Sequence, residues 1–165
     1  MYNLDISDSV QTLCDYLASN KELNDFCKEQ FNKKLTVFGG DFLRRDIPSK
    51  TECPYIILTD FRKHEGLYVE RNVYQFTIYC GVSTEKLEEF ETDAGVVIPD
   101  VYDVCAKFMT LIQKVLNERN NYNRPIATID TNGAFPVMGT HWAGRMVIKL
   151  AIEPTIGRQN YKETI

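Results

Sequence analysis

Residues 100–120 read DVYDVCAKFMTLIQKVLNERN. Val101, Val104, Cys105, Phe108, Leu111, Ile112 and Val115 recur at the three-and-four spacing that lines one face of an α-helix. Asp100 is placed to cap the first turn, because its carboxylate can accept backbone N–H bonds, and Pro99 disfavours helix before it. Asp103 early and Lys114 and Arg119 late follow the helix dipole. At about 1.5 Å per residue the segment spans roughly 27–30 Å, enough to cross one face of a small sheet. Lys107, Gln113 and Asn117 fall on the side expected to stay wet. A helix with one apolar stripe needs a sheet or another helix to cover it.

Downstream, Asn120, Asn121 and Asn123 suggest a turn-rich exit, followed by a strand over Ile126–Thr131. Asn132–Gly133 is a turn signal, and 134–140 (AFPVMGT) fits a wide loop or an irregular edge. His141–Glu153 alternates, with Met146, Ile148, Leu150 and Ile152 on one side and Val147, Lys149 and Glu153 on the other. Residues 155–165 are polar and aperiodic, which predicts a loose tail after a single domain over 1–154.

Upstream, Ser7 opens a helical pattern carrying Val10, Leu13, Cys14 and Leu17. Asn20 interrupts it and could cap a second helix with Leu23, Phe26, Cys27 and Phe31; one kinked helix and two helices are both compatible with the pattern. Leu35–Phe38 is a brief strand stopped by Gly39–Gly40, and residues 39–54 read as a long loop. Tyr55–Thr59 is an apolar strand, and 60–66 reads as a connection with its turn at His64–Gly66. Leu67–Val82 is the strongest strand pattern, with Tyr74, Phe76, Ile78, Cys80 and Val82 alternating with Val73, Gln75, Thr77 and Tyr79. Two adjacent strands with a short link predict an antiparallel hairpin. Between that hairpin and the long helix, residues 83–99 (STEKLEEFETDAGVVIP) are acidic; they suggest a solvated surface, with a short helix over Glu85–Phe90 as the other option. Helices gathered against a mainly antiparallel sheet place the fold in the α+β class.

The totals narrow the function. The net charge is −4, which argues against a general nucleic-acid footprint, since phosphate binding needs a basic face. No apolar run approaches the ~20 residues of a membrane span, and MYNLDISDS lacks a signal-peptide pattern. Cys14, Cys27, Cys53, Cys80 and Cys105 are scattered and odd in number, so reduced thiols in a cytoplasmic setting are expected.

No chemical motif stands out. His64 and His141 have no metal-ligand spacing to cysteines or carboxylates. Gly39–Gly40 lacks the further glycines, lysine and helix of a phosphate cradle. Glu85, Glu88, Glu89, Glu91 and Asp93 lack the ligand alternation and central glycine of a calcium loop. No catalytic residue, metal ligand or cofactor site is therefore nominated. What remains is a set of large side chains in expected loops: Phe42 and Leu43 beside Arg44 and Arg45, then Phe135 and Met138, and Trp142 at a strand start. Aromatic, Met and Arg residues in loops mark partner contacts. For Phe135 and Trp142, folding back to cap the core is the equal alternative.

The order of elements resembles a known family. An initial helical segment precedes the Pro-led strand PYIIL (54–58) and the long strand YQFTIYCGV (74–82). The amphipathic helix 100–116 follows, then the closing strands IATIDT (126–131) and RMVIKLAIEP (145–154). This layout is similar to the tail terminator, or tail-completion, proteins of long-tailed bacteriophages and related tail-like bacteriocins. The resemblance implies a non-enzymatic virion protein that forms a hexameric ring, caps the tail tube and joins it to the head connector. Its implied partners are further copies of itself, the tail-tube protein and the head–tail connector, with no membrane and no specific nucleic acid. The Gly39–Cys53 and Asn132–Thr140 loops would be natural contacts in such a ring. The acidic 84–98 segment has no place in the family pattern. Another head–tail connector or minor tail protein, and a small cytoplasmic enzyme or ligand-binding domain, are the alternatives.

Overall fold

The computed structural model describes residues 6–40, 50–64, 72–85, 88–123 and 126–152. The Phe42–Arg45 group, residues 65–71 and the 155–165 tail lie outside the described residues.

The chain begins with two helices, α1 (Ile6–Ser19) and α2 (Lys21–Phe31), which settles the choice between one helix and two. Asn20 divides them: its backbone is extended and its Oδ1 accepts the Leu23 N–H at 3.0 Å, so it caps α2. Asn32, with φ 52°, closes α2 in the left-handed region that asparagine tolerates. Strand β1 (Thr36–Gly39) then runs parallel to β2 (Tyr55–His64). β2 pairs antiparallel with β3 (Asn72–Ser83), the hairpin expected from the sequence. A small antiparallel ribbon follows, β4 (Glu89–Glu91) and β5 (Val97–Pro99), and leads into α3 (Asp100–Asn123). Two long antiparallel strands, β6 (Ile126–Met138) and β7 (His141–Ile152), complete a five-stranded sheet ordered β1-β2-β3-β7-β6. The fold is α+β.

Four expectations need correcting. Residues 60–64 continue β2 rather than forming a connection; Asp60 adopts φ 53° at a bulge between Thr59 and Arg62, and the strand goes on beyond it. α3 extends through Asn123, past the expected asparagine exit. Asn132 and Gly133 stay inside β6, because neither takes the positive φ of a tight turn; the reversal comes at Gly139, with φ 55°. The acidic segment contains the β4–β5 ribbon, not a helix over Glu85–Phe90.

Period-two alternation carries the core. Ile56 and Leu58, then Phe76, Ile78, Cys80 and Val82, then Met146 and Ile148 all point to the helix-covered face. Against them pack Leu13 and Leu17 of α1, Leu23 and Cys27 of α2, and Val101, Cys105, Phe108, Met109, Ile112, Val115 and Leu116 of α3. Val104 and Leu111 sit at the margin instead, so the buried stripe is rotated slightly toward Met109 and Leu116. Each large side chain buried here contributes about 1.5–3 kcal/mol of transfer free energy. α2 runs antiparallel to α3: Phe26 stacks on Phe108 (centroids 5.6 Å apart), and Lys114 meets Glu22 at 2.8 Å. The opposite face of the sheet holds a smaller cluster of Cys53, Tyr55 and Ile57, flanked by Phe38 and Tyr79.

Candidate assembly surface

One end of the sheet concentrates the features that bear on function. Ser83, the last residue of β3, pairs with His141, the first of β7, and Thr84 N–H donates to the Thr140 carbonyl at 3.3 Å. The β6–β7 reversal therefore abuts the end of β3. The chain leaves β3 there and returns through the β4–β5 ribbon, whose base is fixed by the Asp100 N–H donating to the Glu88 carbonyl at 2.9 Å. α3 starts at the same place, and Tyr102 in its first turn packs edge-on against Trp142, centroids 5.9 Å apart.

Six large apolar side chains are exposed among the described residues: Phe90, Val96, Val97, Tyr102, Phe135 and Met138. All six belong to this end. Met138 pairs with His141 and Phe135 with Ala143, which sets them on the last turn of sheet, and the other four sit on the ribbon and the start of α3. Met138 is 80% exposed, and Val96 and Val97 are more than half exposed. Scattered single apolar residues on a surface need no explanation, but a set confined to one end does.

The ribbon explains how valines come to be exposed. Glu89 pairs with Pro99, Phe90 with Ile98 and Glu91 with Val97. Thr92 N–H donates to the Val96 carbonyl and Thr92 Oγ1 accepts from Val96 N–H, which closes a tight tip where Gly95 takes φ 79°. Three strand residues on each side leave too little surface to bury an apolar face: the register puts Val97 on the side of Glu89 and Glu91 and Phe90 with Ile98 on the other, and Phe90, Val96 and Val97 all reach solvent.

Of the residues nominated from sequence, Phe135 and Met138 are exposed at this end. Trp142 is half-buried, packed on the core and on Tyr102, with a buried Nε1–H that has no partner among the described residues. It caps the core, the second of the two roles open to it. Phe90, Val96, Val97 and Tyr102 were not nominated. Their signal was present in the alternation Glu-Phe-Glu and in the Asp-Ala-Gly turn before Val-Val-Ile, but the carboxylates dominated that reading.

The chemical groups elsewhere are held in inert settings. On the sheet face away from the helices, the Tyr55 hydroxyl and His141 Nε2 are joined at 3.0 Å, both residues buried. Burial pushes the Tyr55 phenol well up and the His141 imidazole down, so both are neutral near pH 7. Arg145 Nε donates to the Tyr79 hydroxyl at 3.3 Å on the same face. Burial pushes the Cys27 thiol up to about 12. Cys80 is raised by its hydrogen bond to Cys105 and by burial, and Cys14 by burial and then by Asp15. A nucleophilic cysteine needs the opposite shift. A shallow open cleft lies over Val10, Gln11, Cys14, Gly39 and Gly40, none of them charged. No group of three or more metal-ligating side chains occurs among the described residues, and no described helix is long and apolar enough to cross a membrane.

Compared with known proteins, the chain matches no family model and no curated protein sequence.

Proposed function

We propose that this chain is a non-enzymatic assembly protein of the tail-terminator kind, a subunit of a ring that caps a phage tail tube. On this reading the ring ends tube polymerisation and offers the joint to the head connector, and its place is the virion tail. The observation that carries the proposal is that the large apolar side chains exposed among the described residues all lie at one end of the sheet. A surface of that kind suits a contact that buries an apolar centre within a polar rim. The raised thiols and the buried, mutually bonded Tyr55 and His141 give the rival enzyme reading little to work with. Another head–tail connector or minor tail protein would use the same surface in the same way.

Light scattering on the purified protein, combined with negative-stain imaging, tests the reading. The expected result is a closed ring of about six subunits that binds purified tail-tube protein. A monomer at high concentration with no affinity for tube protein overturns it.

A further inference from the structure

The five-stranded sheet has two edges, and they are unequal: β1 has four residues and β6 thirteen. β6 pairs with β7 on one side, and no described strand pairs with its other side. Asp130, Thr131, Asn132 and Gly133 are exposed in succession, and a Cβ at Gly133 would meet no atom within 4 Å. Every second residue of such an edge points its backbone N–H and C=O out of the sheet, where another strand can take them.

Most of β6 is unfit for that. Its register with β7 shifts between Ile126 and Thr128, between Asn132 and Phe135, and between Pro136 and Met138. A bulge bends an edge away from partners, and Pro136 has no N–H to offer. What is left is residues 128–132, paired without a break to Lys149, Ile148, Val147, Met146 and Arg145. Within this window Ile129 and Thr131 share the helix-covered face with Ile148 and Met146. Ile129 packs on the margin of the core and stays only partly buried. Gln113 Nε2 of α3 donates to Thr131 Oγ1, so the flank of the helix reaches this edge. Asp130 belongs to the opposite face, with Val147.

Asp130 is the only charged residue on β6, and it stands at the centre of the window. It is exposed and makes no ion pair among the described residues. That position decides which strand fits. If a second copy paired here in full register, parallel or antiparallel, Asp130 would face its own counterpart at about 5 Å, a destabilising contact. A slip of two residues, the smallest that keeps each side chain on its own face, leaves only three of the five residues paired. The window is closed to itself and open to a strand that brings a cation opposite Asp130.

We propose that residues 128–132 of β6 are an acceptor site for an extended segment of another protein. The segment adds a sixth strand to the sheet, with a lysine or arginine opposite Asp130 and apolar side chains opposite Ile129 and Thr131. Backbone hydrogen bonds hold the incoming strand, and the charge selects it. The side chain opposite Ile129 completes the burial of the core margin. This contact lies apart from the exposed Phe135 and Met138 and does not depend on the ring reading.

A capped, fluorescently labelled heptapeptide of sequence Ser-Thr-Val-Arg-Val-Thr-Ser tests it on the full chain, beside the same peptide with glutamate at its centre. The sequence reads alike in both directions, so either strand polarity sets the arginine against Asp130. Fluorescence anisotropy is expected to show the arginine peptide binding roughly fivefold or more tighter than the glutamate peptide. Hydrogen exchange is expected to show protection over β6. Asp130→Lys should reverse the order of the two peptides; the site is exposed, so circular dichroism should show an unchanged fold. No binding of either peptide at millimolar concentration, an order indifferent to the change at Asp130, or protection elsewhere overturns the proposal. So does loss of wild-type self-association in Asp130→Lys, which makes this edge a contact between copies and leaves the ring reading standing. A wild-type monomer that binds the two peptides in the expected order supports the acceptor site and counts against the ring reading alone.

Discussion

Tyr55 reaches His141 across Gly81. Tyr55 is on β2 and His141 on β7, with β3 between them, and their 3.0 Å hydrogen bond passes over the backbone of Gly81, the β3 residue paired with Tyr55. A Cβ at Gly81 would overlap the Tyr55 ring. Gly81→Ala should therefore displace a rigid, buried aromatic and break its bond to His141, costing about 2–3 kcal/mol. Gly144→Ala is the control: there the overlap is with the Met109 thioether, a flexible chain able to re-rotate, and about 1 kcal/mol is expected. Chemical denaturation of both variants checks the order. Equal losses would show that Tyr55 moves aside as easily as Met109.

The same pair sets a pH dependence. Burial holds His141 below its ordinary value in the folded state, so the unfolded chain binds the extra proton first as pH falls. Stability from this group is complete above about pH 6.5, the unfolded value, and is lost as pH drops below it toward the folded value. His141→Gln should flatten the change in melting temperature between pH 7 and pH 5 relative to wild type, while lowering stability at pH 7. Parallel melting curves for the two proteins across that range would remove His141 from the account.

The seam between α2 and α3 rests on Phe108, fully buried and stacked on Phe26 with the rings 2° from parallel. Phe108→Ala should cost about 3–5 kcal/mol, through lost transfer energy and the cavity left between helix and sheet. Phe26→Ala should cost less, because that ring is only half-buried. In a double-mutant cycle the two should couple by about 0.5–1.5 kcal/mol. Additive losses would mean that the stack is incidental to the packing.

The α+β frame was legible because its segments are long and strictly periodic. α3, the two N-terminal helices with their Asn20 cap, and the inward residues of β3 and β7 all follow from spacing that only one face can satisfy. What escaped were places where an exposed strand looks like a loop. Asp60–His64 is polar because it is solvated, not because it turns, and the Asn132–Gly133 pair stays extended although its composition suits a hairpin. The candidate surface escaped for a related reason. In a three-residue ribbon, alternation is too short to register, and four glutamates around one phenylalanine read as a wet face. That exposed apolar side chains from three separate segments lie at one end of the sheet is a property of the topology, which no local pattern encodes.

If that end makes the contacts proposed for it, removing its apolar groups should affect association without affecting folding. Val96→Asp with Val97→Asp places two charges on residues more than half exposed, so monomer stability should change by no more than about 0.5 kcal/mol per site. Association is another matter, since a contact that excludes water would have to bury two unpaired carboxylates beside five others on the same segment. Assembly should be lost at concentrations where wild type is fully associated. Met138→Ser, on the β6–β7 side of the same end, separates two possibilities. If the subunit contact includes both the ribbon and the β6–β7 turn, Met138→Ser should weaken assembly several-fold. If the turn instead meets the tail tube, it should leave the ring intact and reduce binding of tube protein. Light scattering on the two variants, with pull-down of purified tube protein, reads both outcomes. Wild-type assembly and tube binding in both variants would exclude this end of the molecule as the working surface.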